Sequence, residues 1–355
     1  MAVRPDSTII SRIAHSPTIM SLVVVTGASG FLGSNVVDQL LDAGYKVRGV
    51  ARGRTAPKVA EKYASFGDKF EIVVADDLTH SDLSHVFKGA DALIHVASPI
   101  GESNAEITLN SAINGTTRVL EAAYAGGIKK IVVTSSVVAL CDPPKLFQKV
   151  TLGDKDFGTA TYEEALKPEN AGFPVYAASK ALAEKALWKF VGEHPDLDVA
   201  TVLPPYLYGK PGRGQNITSP ASGTNEQLYV LIKGEKGRPL PPWIPPQFVN
   251  VRDVARAHVL ALKAPPSDTP KRIILYAGDI PYKAATEYLL ETRPELKDRL
   301  PVISGDEPAD PPYSDFDTSS AERIIGLTEY IGWKQTLDEA IDSFLEKEKE
   351  LGVSV

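Results

Sequence analysis

The sequence predicts an α/β protein with a doubly wound parallel sheet and a smaller, partly interleaved C-terminal lobe. Two observations predict the sheet: short β-branched runs alternate with helical stretches up to Leu203, and a glycine-rich turn joins the first run to the first helix. A third observation predicts the lobe, because the alternation gives way after Leu203 to segments rich in Pro, Gly and Ser.

Six short apolar runs in the first 203 residues are predicted to be strands, over 22–25, 45–50, 70–74, 92–96, 131–134 and 199–203. Helices are predicted between them, over 31–43, 56–66, 81–88, 103–125 and 175–191. The first, fourth and fifth runs are almost continuously apolar, as expected when helices cover both faces of a parallel sheet. Repeated β-α units of this kind indicate a Rossmann domain over 21–203.

The chain over 204–355 is predicted to form mainly a substrate-binding lobe, with some segments returning to the Rossmann domain. Five prolines fall within 238–246, and such segments do not form helix interiors or central strands. Helices are predicted over 225–233, 252–263, 283–291 and 336–349, and a strand over 272–276. Because ligands of open α/β sheets bind at the carboxyl edge of the strands, the substrate site is expected between the two lobes.

Composition excludes several classes of protein. The hydrophobic fraction of 43% and the charged fraction of 23% are ordinary for a globular chain of 355 residues. The one cysteine cannot form an internal disulfide and fits a reducing compartment, so we expect a cytoplasmic protein. A net charge of −7 without a basic block disfavours nucleic-acid binding, and no apolar run approaches the roughly 18 residues that span a bilayer. Residues 1–20 are predicted to be a disordered leader, with a targeting segment as the alternative.

A dinucleotide-binding turn is predicted at 26–33, directly after the first strand. Three glycines spaced by three allow a tight turn, a close approach of the backbone to a pyrophosphate, and close packing of helix on strand. The N-terminus of the next helix offers free N–H groups to the phosphates. The expected contacts are Thr26, Gly27, Ser29, Gly30, Phe31, Leu32 and Gly33. A glycine-rich turn without a ligand is the alternative.

The charges after the second strand indicate NADPH rather than NADH. NAD sites usually place an acid about 20 residues after the turn, but 47–58 contains no Asp or Glu and four cations, Arg48, Arg52, Arg54 and Lys58. Guanidinium pairs with phosphate through charge-assisted bonds, so Arg52, together with Lys58, is expected to bind the 2′-phosphate. Solvated surface charges are the alternative. Asp77 and Leu78, after the third strand, are placed to reach the adenine, and a simple surface turn explains them almost as well.

Three motifs together resemble the extended short-chain dehydrogenase/reductase superfamily. They are the Thr-Gly-x-x-Gly-x-x-Gly turn, the pair Ser135-Ser136 after the fifth strand, and Tyr176-Ala-Ala-Ser-Lys180. Within that group the last two motifs are most similar to the dihydroflavonol-reductase-like branch of ketone and aldehyde reductases. Tyr-x-x-x-Lys alone is not specific, since it occurs four times, but only Tyr176 opens a helix and follows a strand-end serine pair by 40 residues.

The resemblance implies four catalytic residues. Tyr176 is the general acid that protonates the alkoxide, and Ser136 donates a hydrogen bond to the substrate oxygen. Lys180 holds the nicotinamide ribose, and its ammonium is expected to lower the pKa of Tyr176 from the usual value of about 10. Asn114 supports a proton relay through water, with a merely tolerated helix residue as the alternative.

Further contacts follow from the resemblance. The cofactor is expected to contact Ala97, Ser98, Thr134, Pro204 and Leu207. The substrate wall is expected to include Val138, Leu140, Pro205, Tyr206 and Gln215. Their largely apolar character suits a hydrophobic carbonyl compound, although ordinary packing explains each of them equally. The six histidines lack the spacing of metal ligands, so no metal site is predicted.

Three functions stay open at this point. The first is NADPH-dependent reduction of an aldehyde or ketone. The second is a nucleotide-sugar epimerase or dehydratase, in which the serine motif often continues into Val-Tyr-Gly; here 137–140 are apolar, which favours the reductase. The third is an NADP-sensing regulator without turnover, but such relatives commonly lose the tyrosine or the lysine, and this chain keeps both. The physiological substrate, the stereochemistry and the oligomeric state stay open.

Overall fold

The computed structural model describes residues 21–98 and 104–353. The leader predicted at 1–20 lies outside the described residues. Within them, a parallel sheet of seven strands carries helices on both faces, which confirms the predicted α/β fold.

The strands of the described ranges form one large sheet and two small ones. They are β1 (Leu22–Thr26), β2 (Lys46–Ala51), β3 (Phe70–Val74), β4 (Ala92–His95), β5 (Lys130–Thr134), β6 (Thr151–Leu152), β7 (Asp198–Leu203), β8 (Tyr206–Tyr208), β9 (Gln247–Asn250), β10 (Lys271–Ile274), β11 (Gly278–Asp279) and β12 (Asp315–Phe316). The large sheet has the order β10-β7-β5-β4-β1-β2-β3, and every pair in it is parallel.

The helices vary from single turns to 21 residues. They are α1 (Phe31–Asp42), α2 (Ala56–Tyr63), α3 (Ser84–Phe87), α4 (Ala105–Ala125), α5 (Pro143–Leu146), α6 (Tyr162–Ala165), α7 (Phe173–Glu193), α8 (Glu226–Tyr229), α9 (Val251–Lys263), α10 (Tyr282–Thr292), α11 (Ser319–Ile325) and α12 (Trp333–Leu351). Within the described ranges, none of these helices combines the length and the apolar character that crossing a bilayer requires.

Alternate side chains of the large sheet enter two separate cores. Val23 and Val25 of β1 pack in the core that contains α1 and α9, whereas Val24 packs in the core that contains α4 and α7. Successive side chains of a strand point to opposite faces. The almost continuous apolar run of β1 therefore serves both cores.

The chain after residue 203 takes part in the large sheet as well as in a separate lobe. β10 pairs with β7 and forms one edge of the large sheet, with α11 packed on it. β8, β9 and β11 form a small sheet, whose core includes Phe248 together with Leu337 and Phe344 of α12. The chain after residue 203 therefore forms one edge strand of the large sheet and also the lobe beside it.

Predicted and observed elements differ mainly in helix length. The six strands predicted before residue 204 match β1 to β5 and β7 within one residue at each end. The helices predicted over 81–88 and 225–233 are the single turns α3 and α8. The helix predicted over 56–66 ends at Tyr63 and continues as a 3₁₀ segment over 64–69, where Gly67 has a φ of +55°. The pattern does not predict α11, which has only seven residues.

The carboxyl ends of the central strands meet at one edge of the sheet. The strand order changes direction at β1, which lies between β2 and β4, and ligands of such sheets bind at this switch point. The loops at this edge are those that follow β1, β2, β4, β5 and β7. The predicted catalytic and cofactor residues lie in these loops, in an adjoining helix or at the end of a strand, except for Asp77 and Leu78, which lie in the loop after β3.

Candidate active site

The turn after β1 has the geometry of a phosphate cradle. Gly27 has a φ of +72°, and a Cβ atom at Gly33 would lie 2.0 Å from the Gly27 carbonyl oxygen, so neither position accepts a larger residue without rearrangement. Gly30 is the N-cap residue of α1 and has no side chain that could bond to the first N–H groups of the helix. Those N–H groups are oriented for an anion. The turn therefore fits the diphosphate of a dinucleotide.

The hydroxyl of Thr26 ties this turn to β4. It accepts from the backbone N–H groups of Val96 at 3.1 Å and Ala97 at 3.2 Å, and it lies 2.7 Å from His95 Nδ1. With two N–H groups accepted, its proton is left for Nδ1. Burial, helped by the charge of Lys180, lowers the pKa of His95 to about 4, so the imidazole is neutral. The Thr26 hydroxyl is thus used within the protein, and the cofactor contact predicted at Thr26 stays a prediction.

The remaining predicted turn residues offer the cofactor mainly backbone groups. Ser29 accepts a hydrogen bond from Thr55 through its hydroxyl, at 3.3 Å, and from the Asn216 N–H through its carbonyl, at 3.2 Å. Leu32 is buried in the core, and Phe31 packs against it. Recognition at this turn therefore depends on the backbone.

Three of the four predicted cations lie free at the end of β2. Arg52, Arg54 and Lys58 are exposed, and within 21–98 and 104–353 none of them makes an ion pair. Arg48 is different: its Nε donates to Glu71 at 2.6 Å, and its Nη1 donates to the carbonyls of residues 86 and 88 at 2.8 Å. Arg48 is therefore part of the scaffold and not of the cation group.

The acids after β3 are engaged locally. Asp77 accepts from the Thr79 N–H and from His80 Nδ1, both at 2.7 Å, and Leu78 packs into the core beside α4. The Asp77 oxygens thus close their own turn, and the adenine contact predicted for Asp77 stays a prediction. Asp76, its neighbour, accepts from the Gly53 N–H at 2.8 Å and so fixes the loop that carries Arg52.

The predicted catalytic side chains meet at the ends of β4 and β5. The Ser136 hydroxyl donates to the Pro204 carbonyl oxygen at 3.4 Å, and it lies close enough to the Tyr176 phenol to lower the pKa of that phenol. Lys180 Nζ donates to Ser98 Oγ at 2.9 Å and lies 6.0 Å from the centre of the Tyr176 ring. The spacing of four residues places Tyr176 and Lys180 on one face of α7. Three segments distant in sequence thus converge on one proton-donor group.

Burial controls the protonation of this group. Burial raises the pKa of Tyr176, and Tyr206 raises it further. The Ser136 hydroxyl acts in the opposite direction and lowers that pKa. Burial also lowers the pKa of Lys180 to about 8. The sequence predicts a lowered pKa for Tyr176, whereas its pKa is raised, because the loss of solvation outweighs the hydroxyl that lowers it. The phenol is therefore protonated at neutral pH, the state that a general acid needs.

Two predicted polar residues lie elsewhere. Asn114 is exposed on α4, whereas Ala112 and Gly115 are buried; at about 100° per residue, Asn114 falls on the other side of the helix. The Thr134 hydroxyl lies 2.8 Å from Nε2 of His258, which packs α9 against β5. The Thr134 hydroxyl is thus engaged within the protein, and the relay predicted for Asn114 and the cofactor contact predicted for Thr134 stay predictions.

Backbone groups after β4 and β7 line the same edge. Ala97 lies against the phosphate turn, and a Cβ atom at Gly27 would approach its backbone N–H to 3.0 Å. The Pro204 carbonyl accepts from the Val137 N–H at 3.2 Å, and the Leu207 carbonyl accepts from Thr224. Both carbonyls thus take part in bonds within the protein, and the contacts predicted for Pro204 and Leu207 with a nicotinamide amide stay predictions.

The predicted substrate wall is kept in part. Val138, Pro205 and Tyr206 are half-buried beside the catalytic group. Leu140 is fully buried in a core cluster, so it does not face a ligand. Gln215 donates to Ser222 at 2.7 Å and belongs to a loop that lies on the phosphate turn. Leu140 and Gln215 are therefore corrected as wall residues.

A series of neighbouring aromatic rings extends from Tyr176, and the sequence does not predict it. Ring centres lie 6.4 Å apart for Tyr176 and Phe173, 6.5 Å for Phe173 and Phe147, 6.3 Å for Phe147 and Trp243, and 6.3 Å for Trp243 and Tyr313. Phe147 and Phe173 are 38% and 40% exposed. Such exposure of large apolar rings beside a site marks a binding surface. Of these rings, only Trp243 lies in a segment that the sequence analysis singles out, the proline-rich stretch over 238–246.

The family comparison identifies the scaffold. A family profile described as the NAD dependent epimerase/dehydratase family matches residues 23–276, more than half of the chain. The chain belongs to this family, that of the extended short-chain dehydrogenases/reductases. The three motifs that carried the resemblance all lie within the matched range, and the resemblance is confirmed.

The proteins similar to this extended reductase include named carbonyl reductases. Ketoreductase azaE of Aspergillus niger is 32% identical, covering 92% of this chain and 98% of its own length. Aldehyde reductase 2 of Sporidiobolus salmonicolor is 32% identical, covering 92% of this chain and 96% of its own. The crystal structure of Gre2 in complex with NADPH from Candida albicans matches with a TM-score of 0.81 at 25% identity, covering 92% of this chain and 99% of that one.

Proposed function

We propose that this extended reductase uses NADPH to reduce a hydrophobic aldehyde or ketone to the alcohol, with Tyr176 as general acid. The observation that carries the proposal is the convergence of Ser136, Tyr176 and Lys180 around a phenol that is protonated at neutral pH. The names of the relatives support the same activity, since they include a ketoreductase and an aldehyde reductase.

The residues present fit NADPH. The glycine turn and the N-terminus of α1 would hold its diphosphate. Arg52, Arg54 and Lys58 would bind its 2′-phosphate, since they are exposed, cationic and close together in sequence. Lys180 and Ser98 would hold the nicotinamide ribose. When bound, NADPH supplies the hydride that adds to the carbonyl carbon. A neighbouring structure in complex with NADPH supports this choice.

The protein's part in the reduction is the supply of one proton. Ser136 Oγ donates a hydrogen bond to the substrate oxygen and polarises the carbonyl. As negative charge develops on that oxygen, the Tyr176 phenol gives it the proton and becomes phenolate. The Ser136 hydroxyl acts against the effect of burial on the pKa of Tyr176, and so favours the phenolate left behind.

The wall of the site favours an apolar substrate. Val138 and Tyr206 lie beside Tyr176, and the aromatic series from Phe173 to Trp243 extends the same wall. A nucleotide sugar would bring a diphosphate into these surroundings, which offer it no cation among the residues named. The epimerase reading is therefore the less supported one.

The proposal places the reductase in the cytoplasm. The support is compositional: the one cysteine, Cys141, is buried, and burial raises the pKa of its thiol to about 12, so it is suited to a reducing compartment and not to disulfide exchange. Its expected partner is a small carbonyl compound. Cell fractionation with an antibody against the full chain tests the compartment.

A substrate panel tests the activity. The purified chain would be mixed with NADPH or NADH and with hydrophobic aldehydes, ketones, diketones, β-ketoesters and nucleotide sugars, and the loss of reduced nicotinamide absorbance followed. We expect oxidation of NADPH with aryl or alkyl carbonyl compounds and far less with NADH. Turnover of nucleotide sugars without turnover of any carbonyl compound would contradict the proposal.

A further inference from the structure

A buried ion pair lies directly behind the catalytic group. Glu184 of α7 and Arg272 of β10 are 3% and 1% exposed, and Arg272 Nε donates to Glu184 Oε1 at 2.7 Å. Two charges removed from water in this way are costly unless every oxygen and N–H finds a partner. Their other partners show which segments this pair holds together.

The Glu184 carboxylate collects donors from four elements. It accepts from Ser135 Oγ at 2.7 Å, Thr201 Oγ1 at 3.1 Å, Trp188 Nε1 at 3.1 Å and Arg272 Nη2 at 3.3 Å. Arg272 Nη1 in turn donates to the carbonyls of Asp154 at 2.8 Å and Asp156 at 2.5 Å, and the Phe157 ring lies 3.6 Å from the guanidinium carbon. Helix α7, the ends of β5, β7 and β10, and the segment 154–157 are thus joined at one point.

This junction links the two halves of the catalytic group. Tyr176, Lys180 and Glu184 follow one another at intervals of four on α7 and so share one face of the helix. Ser135, which donates to Glu184, immediately precedes Ser136, whose hydroxyl lies near the Tyr176 phenol and lowers its pKa. The end of β5, which carries Ser136, and α7, which carries Tyr176, are therefore held together through the Glu184 carboxylate.

We propose that Ser135 and Glu184, held by Arg272, are positioning residues that set the distance between the Ser136 hydroxyl and the Tyr176 phenol. The inference rests on the proposed function, because it concerns the geometry of the same proton donor. A displacement of about 1 Å between reacting groups costs up to 10²-fold in rate. A hydrogen bond that fixes the end of β5 against α7 therefore acts on the rate of proton transfer and not on cofactor affinity.

Substitution of Glu184 itself is a poor test, because it would leave the Arg272 cation buried without a partner and unfold the chain. Ser135→Ala removes one neutral donor and leaves the ion pair intact. Thr201→Val is the matched control: it removes one hydroxyl donor to the same carboxylate, from β7, where no catalytic residue adjoins it. Ser135→Thr keeps the donor and tests rescue.

We expect Ser135→Ala to lower kcat about 10-fold or more, with the KM for NADPH and the melting temperature close to those of the parent. Thr201→Val is expected to keep kcat within about twofold, and Ser135→Thr to restore most of the rate. Alcohol oxidation gives a second readout, because Tyr176 then acts as base. The Ser136 hydroxyl lowers the pKa of Tyr176. A Ser136 hydroxyl that has moved away from the phenol is therefore expected to raise that pKa, in Ser135→Ala and not in Thr201→Val.

Equal losses of kcat in Ser135→Ala and Thr201→Val, or an unchanged kcat and pH profile in Ser135→Ala, would overturn the inference. Two different variants test the positioning role and the proposed function, so either can fail without the other. If Tyr176→Phe keeps its activity, the assignment of the acid is wrong, whereas an inactive Tyr176→Phe beside a fully active Ser135→Ala removes only the positioning role.

Discussion

The two ends of the cofactor cleft are built in opposite ways. At the catalytic end, burial raises the pKa of Tyr176 and lowers that of Lys180 to about 8. At the other end, Arg52, Arg54 and Lys58 stand exposed beyond β2. Burial therefore sets protonation at the catalytic end, whereas the charges at the other end act in contact with water and are screened by salt.

This difference separates two kinds of response. A rise in pH through about 8 acts on the catalytic end, where it titrates Lys180. Salt has the reverse selectivity, because exposed charges are screened and buried ones much less so. Substitutions at the catalytic end are expected to change kcat, and those at the cation end to change the KM for NADPH.

Tyr176→Phe carries the largest expected effect. Removing the phenol hydroxyl removes the proton donor, so kcat is expected to fall by about 10²- to 10⁴-fold, while the dissociation constant for NADPH stays within about twofold of the parent. Steady-state kinetics and cofactor fluorescence check the two halves. Tyr330→Phe is the control: Tyr330 also begins a Tyr-x-x-x-Lys sequence, but its hydroxyl is buried without a partner among the described residues, so kcat should not change.

The double variant Arg52→Gln/Arg54→Gln is expected to raise the KM for NADPH by about 10- to 100-fold and to leave that for NADH nearly unchanged, because only NADPH carries the 2′-phosphate. The KM for NADPH should also lose most of its dependence on salt. In Arg48→Gln, whose guanidinium is bonded to Glu71 and to two carbonyls, a lower melting temperature and no change in cofactor preference are expected. Equal effects on both cofactors in the double variant would contradict the cation assignment.

The pH profile sharpens the contrast between the ends. The pKa of Lys180 lies at about 8, below its ordinary value, so the ammonium is lost as pH rises through that value. The raised pKa of Tyr176 keeps the phenol protonated there, and the lowered pKa of His95, at about 4, keeps the imidazole neutral. We expect kcat/KM for NADPH, which reports the free enzyme, to fall about tenfold per pH unit above about pH 8. Lys180→Met should be slow and lack this descent; a parent profile that stays flat to pH 10 or so would contradict the assignment.

The features that sequence alone predicted depend on short-range spacing. The apolar runs of β1 to β5, the glycines spaced by three, and the interval of four between Tyr176 and Lys180 are local patterns, and each has a direct structural consequence. The sheet, the phosphate turn and the face of α7 were accessible for that reason.

The partners of individual side chains were not accessible in this way. Thr26 and Thr134 stand where a cofactor contact is expected, but their hydroxyls lie against histidines 69 and 124 residues away. The aromatic series joins rings from widely separated loops, and no spacing rule brings Phe147 next to Trp243. The pKa of Tyr176 was misjudged because a charge four residues away is visible in the sequence, whereas the depth of burial is not.

Asn114→Ala has the smallest expected effect and tests whether Asn114 belongs to the catalytic end. The residue is exposed on α4, on the side away from Ala112 and Gly115, which are buried. We expect kcat to stay within about twofold of the parent and the melting temperature to change little, as for an ordinary surface substitution. A tenfold loss of kcat at an unchanged melting temperature would contradict this expectation and support a proton relay through Asn114. If the rate is kept, the proton returns to Tyr176 without Asn114, and the catalytic end consists of groups after β4 and β5 and on α7.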